Sequence, residues 1–117
     1  MAANRRRGEI AAMIDGQERI LCLTLGALAQ LEDAFSVGDL GALAQRFSTG
    51  RLSARDLTCV LAAGLRGGGF DVRDDDVAAM KIEGGVSGFA VIVAELLAVT
   101  FGVDSAAQAS AENSPDP

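Results

Sequence analysis

The chain has 117 residues, half of them apolar, a formal net charge of −6 and no histidine. That length suits one domain with one modest core, and the acidic balance disfavours non-specific nucleic-acid binding, which needs a clustered positive surface. Without His the commonest general base and zinc ligand are missing, along with any Ser-His-Asp or Cys-His set.

The apolar half is mostly Ala, Leu and Val, with five Phe and no Trp or Tyr, so a tightly spaced, helical core is expected. Nine of the ten basic residues are Arg, a bias that reads as a GC-rich bacterial genome. Arg5, Arg6 and Arg7 cluster near the start, and residues 1–6 read as a flexible, solvated lead. Ile10, Ala12 and Ile14 then alternate with Glu9, Ala11 and Met13. Asp15-Gly16 supplies the left-handed backbone of a tight turn, and residues 19–23 return as a second strand. A lone two-stranded ribbon is marginal in water, so this hairpin must lie against helices or pair with another chain.

Thr24 is placed to cap a first helix whose inward stripe is Leu25, Leu28, Leu31 and Phe35, with Gln30, Glu32 and Asp33 on the other side. Ser36 to Gly38 interrupt it. Asp39 caps a second helix carrying Leu40, Leu43, Ala44 and Phe47, which ends at Thr49-Gly50. Ser53 and Asp56 form a capping box with Asp in place of the usual Glu or Gln, opening a third helix with Leu57, Val60, Leu61, Gly64 and Leu65 inward. Gly67, Gly68 and Gly69 stop that helix. The acidic turn 71–76 puts negative charge at the start of a fourth helix, where the helix dipole favours it; Val77 and Met80 turn inward and Gly84-Gly85 end it. The last helix, 86–101, carries Phe89, Ile92, Val93, Leu96, Leu97 and Phe101 on a stripe wide enough to be central to the core and to serve a partner as well.

The fold class is therefore α+β, mostly α: an N-terminal β-hairpin followed by about five short helices in a single domain over residues 7–101. The last apolar run is interrupted and falls short of the roughly 20 residues of a membrane span, so no membrane contact is expected. Residues 102–117 hold too few large apolar groups to offset the entropy of ordering them and read as a disordered tail. The start of the chain lacks the continuous apolar segment of a signal peptide.

Chemical signals are sparse. Cys22 and Cys59 lack CxxC spacing and read as small buried hydrophobes in a reducing cytoplasm. The glycine run lacks the Lys and Ser/Thr of a phosphate loop. Asp71, Asp74, Asp75 and Asp76 do not match a calcium loop and read as a solvated helix start. No catalytic residue, cofactor or metal is expected, and the chain does not read as an enzyme.

A family likeness is carried by Arg7-Gly8-Glu9, by Ile14-Asp15-Gly16, and by the run Leu21-Cys22-Leu23-Thr24-Leu25-Gly26-Ala27-Leu28 with Leu31-Glu32. Gly50-Arg51-Leu52-Ser53 with Asp56, and Gly64-Leu65-Arg66-Gly67, extend it. Over about residues 7–101 the chain resembles a family encoded in the tail-gene block of gene transfer agents and related alphaproteobacterial prophages, described both as a tail tube protein and as a tail assembly chaperone. The resemblance implies tape-measure protein and tail tube subunits as partners, with self-association into a homo-oligomer left open. Two strands are too few to build a tube ring alone, which favours the chaperone, acting in the host cytoplasm. The alternative is a structural tail component, in the tube or the head-tail connection, retained in the particle. A small regulator is disfavoured by the acidic charge and by the lack of a polar or basic recognition helix. Partner contact is placed on Phe89, Val93, Leu96 and Leu97 of the last helix and on Ile20 and Cys22 of the hairpin.

Overall fold

In the computed structural model, which describes residues 3–49 and 51–102, Asp15 and Gly16 both take left-handed backbone, with φ of 53° and 77°. They close a two-residue turn between β1 (Glu9–Ile14) and β2 (Gln17–Cys22). The period of two then sets the faces: Ile10, Ala12, Ile14 and Leu21 are buried, while Ala11 and Met13 are exposed. Ahead of β1, Arg5–Arg7 form a single 3-10 turn in which Asn4 Oδ1 accepts the Arg6 N–H.

Five helices follow among the described residues: α1 (Leu25–Ala34), α2 (Leu40–Ser48), α3 (Ala54–Gly67), α4 (Asp74–Ala78) and α5 (Gly85–Phe101). The architecture is thus α+β and mostly α, as expected. Thr24, Asp39 and Ser53 each accept a backbone N–H as helix caps. Asp56 Oδ2 in turn accepts the Ser53 N–H at 3.0 Å, completing the capping box. α3 is the central element: it packs on β2, α1, α4 and α5, while β1 rests on α5. Its residues Val60, Leu61, Ala62, Ala63 and Leu65 are almost wholly excluded from solvent.

Three expectations differ from the structure. Leu25 is 78% exposed, because at 100° per residue it stands roughly 120° around α1 from Leu31; the buried side is Ala27, Leu28 and Leu31. Leu40, at the first position of α2, is 41% exposed, and Leu43 and Phe47 fill the core in its place. α4 stops at Ala78 instead of running to Gly84-Gly85. The chain leaves the helix there to meet the hairpin turn, where Asp15 N–H donates to Lys81 O at 2.9 Å and Lys81 N–H to Asp15 Oδ1 at 2.8 Å. The tail expected beyond Gly102, Gly50, and the first two residues of the lead lie outside the described residues.

Two arginines join the helices. Arg46 Nη2 pairs with Asp56 Oδ2 at 3.0 Å and its Nη1 donates to Arg51 O. Its guanidinium lies 5.4 Å from the Phe35 ring centroid. Phe35 meets Phe47 edge-on at 5.2 Å, and Phe47 lies 6.5 Å from Phe101, so the ends of α1 and α5 close over α2. Arg66 donates from Nη1 to Val72 O at 3.0 Å and to Asp74 Oδ1 at 3.4 Å, and from Nη2 to Gln30 Oε1 at 3.2 Å. It thereby ties α3 to both α1 and α4. Arg66→Met keeps the aliphatic stem and removes all three bonds, so urea unfolding should show a loss of about 1–2 kcal/mol; an unchanged midpoint would mean that these bonds contribute nothing net.

Candidate functional site

α5 reads GVSGFAVIVAELLAVTF and carries one charge, Glu95. A helix apolar on all sides belongs in an interior or against a partner, yet one arc of this helix faces outward. Ile92, Val93 and Leu96 are buried, and Phe89, Leu97, Val99 and Phe101 are half-buried against the core. The opposite arc, Ala90, Val91, Ala94 and Glu95, is exposed together with Val86. Val86 is 75% and Val91 59% exposed.

The residues expected to bind a partner are thereby divided. Val93 and Leu96 point into the core and are closed to a partner in the folded chain, while Phe89 and Leu97 reach solvent at its margin. Sequence reading passed over Val86, Ala90, Val91 and Ala94. A helix of nearly uniform hydropathy gives no sign of which arc turns inward: Val93 is buried and Val91 is exposed.

Ile20 and Cys22 are half-buried on β2. Their carbonyls are covered by the end of α3. A Cβ placed on Gly67 would stand 1.9 Å from Cys22 O, and one on Gly68 would stand 1.9 Å from Ile20 O. The glycine run does more than end a helix: it lets backbone lie on backbone and closes the free edge of β2. Arg19, on the same strand, lays its guanidinium 3.8 Å from the Phe70 ring centroid just past those glycines.

Cys22 Sγ approaches Arg7 O at 3.6 Å and Cys59 Sγ approaches Asp74 Oδ2 at 3.8 Å. Burial raises both thiols above their usual pKa, reinforced by the charge of Glu9 at Cys22 and of Asp74 at Cys59. Less thiolate is then present at any given pH, so both should alkylate with iodoacetamide at pH 8 more slowly than in the urea-unfolded chain. Peptide mass spectrometry over time checks this, and equal rates would contradict it. In the acidic turn, Asp76 Oδ2 accepts the Arg73 N–H and Asp74 pairs with Arg66. No group of three or more His, Cys, Asp or Glu among the described residues is placed to hold a metal ion. No helix among them is long and apolar enough to cross a membrane.

What this arrangement offers is therefore surface: an apolar helix arc beside a hairpin closed along one edge. The chain matches the family described as phage tail tube protein, GTA-gp10, over residues 7–103. No curated protein and no solved structure matches the chain.

Proposed function

The chain belongs to the phage tail tube protein family, GTA-gp10, and from that premise we propose that it serves tail assembly as a chaperone that binds the tape-measure protein. The observation carrying this reading is the exposed apolar arc of α5, where Val86 and Val91 stand in solvent on a helix with a single charge. Such a patch marks a docking site for another apolar surface. An amphipathic tape-measure helix laid along α5 would bury its own apolar stripe and that arc together. The acidic body, at a net charge of −6, keeps such a complex soluble. In this reading the protein acts in the host cytoplasm, helps bring tube subunits to the growing tail, and leaves before completion.

The family description favours a second reading, a tube or connector subunit retained in the particle. The two strands among the described residues, one of them with its edge covered by Gly67 and Gly68, leave little sheet from which to close a stacked ring. Mass spectrometry of purified particles separates the readings: stoichiometric abundance supports the subunit and absence the chaperone. Co-expression with the tape-measure protein tests the chaperone directly. The wild-type chain should co-purify with it in soluble form. Val91→Asp should abolish that complex while leaving the thermal melt within about 0.5 kcal/mol of wild type, as expected for an exposed position. A complex that survives Val91→Asp would remove α5 as the docking face.

A further inference from the structure

The two edges of the hairpin are treated differently by the fold. Because Ile14 pairs with Gln17 across a two-residue turn, the bonds between strands fall on Ile10, Ala12 and Ile14 of β1. The backbone groups of Glu9, Ala11, Met13 and Asp15 therefore point away from β2. Both ends of this outer edge are occupied: Glu9 N–H donates to Asn4 O at 3.1 Å and Asp15 N–H to Lys81 O at 2.9 Å. Between them, the N–H groups of Ala11 and Met13 have no hydrogen-bond acceptor among the described residues. β1 has none of the Lys, Pro or bulge that usually protects a free edge. Beside it runs a mostly apolar groove of about 310 Å³ walled by Ala12, Ile82, Gly88, Val91 and Ile92, with Glu83 as its one charged residue.

We propose that this window binds one extended segment of a partner polypeptide by strand addition, about three residues long and with an aliphatic residue at its centre. The length follows from the blocks at Glu9 and Asp15, which leave room for a short stretch at ~3.3 Å per residue. The chemistry follows from the pleat. The partner residue opposite Ala12 points to the same side as Ala12, into the apolar groove against Ile82 and Val91. The residues flanking it exchange N–H and C=O with Ala11 and Met13. A second copy does not supply the segment through its hairpin: its β1 edge is blocked at both ends by its own Asn4 and Lys81, and its β2 edge lies under Gly67 and Gly68. With the hairpin of a second copy excluded, the occupant proposed is a strand of a different protein. This site shares Val91 with the outer arc of α5, but it rests on the backbone of β1 and does not depend on tape-measure binding.

The test uses the full chain with Thr-Thr-Val-Thr-Thr fused ahead of Met1 through a flexible Gly-Ser linker, which holds the segment at about millimolar effective concentration. Hydrogen exchange is read by NMR at individual amides. Ala11 and Met13 should exchange at least about tenfold more slowly than in the unfused chain, with Ile10, Ala12 and Ile14 unchanged. A Thr-Pro-Val-Pro-Thr fusion lacks the flanking N–H donors and sets proline rings in their place, so it should give no slowing. Unchanged rates in the first fusion, or equal slowing in both, would overturn the proposal. Because no tape-measure protein is present, either result leaves the chaperone reading where it stands.

Discussion

Gly67→Ala should lower the melting temperature of the chain steeply. The added Cβ would fall 1.9 Å from Cys22 O and 3.0 Å from Cys22 C. Both are backbone atoms of a strand pinned on its other side by β1, so relief requires α3 and β2 to separate. That separation exposes Leu21 of β2 and Leu61 and Leu65 of α3, all fully buried where the two elements pack. A loss of about 4 kcal/mol or more is expected, against a total of roughly 5–15 kcal/mol for a domain of this size. Circular dichroism on heating measures it. Gly38→Ala is the control, since a Cβ there meets nothing within 4 Å, and it should melt like wild type. A normal melt for Gly67→Ala would show that α3 does not lie on β2 as closely as described.

Leu96→Ala carries the second large effect. Leu96 is fully buried at the point where α5, α3 and β2 converge: a Cβ on Gly64 would stand 2.6 Å from Leu96 Cδ2 and 3.3 Å from Leu21 Cδ2. Truncation removes buried methyl groups and leaves a cavity between three elements, at a cost of about 3–4 kcal/mol. Denaturant unfolding should show it as a lower midpoint with an unchanged slope. The comparison with Val91→Asp assigns the two faces of α5: Leu96→Ala loses stability first and binding as a consequence, whereas Val91→Asp loses binding alone. If Leu96→Ala kept wild-type stability and lost tape-measure binding, the inner and outer arcs of α5 would have to be exchanged.

The features legible in the chain are those whose causes lie within a few residues. Asp15-Gly16 dictates its own turn, since few other pairs tolerate two successive positive φ values. Thr24, Asp39 and the Ser53–Asp56 box mark helix starts because a side-chain oxygen reaches a backbone N–H three residues on. Periodicity placed Leu57, Val60, Leu61 and Leu65 on one side of α3, and all four are buried. The family likeness belongs to the same short-range information, and the matched residues 7–103 cover nearly the span that carries it.

What escaped depends on groups far apart in the chain. The early end of α4 follows from the pairing of Lys81 with Asp15, 66 positions away, and nothing local to residues 79–84 announces it. The second duty of Gly67 and Gly68 exists only because β2 arrives beside them; in the chain they are helix punctuation. The same holds for the partner-facing residues. Of Phe89, Val93, Leu96 and Leu97 on α5, packing against the other elements draws Val93 and Leu96 into the core, where burial of apolar groups stabilises. Composition and local pattern thus announced a mostly helical α+β fold that opens with a hairpin, and among the described residues the structure has one hairpin and five helices. Which arc of α5 stays in solvent, and which edge of the hairpin stays open, were settled by packing, because inside and outside come into being when distant elements meet.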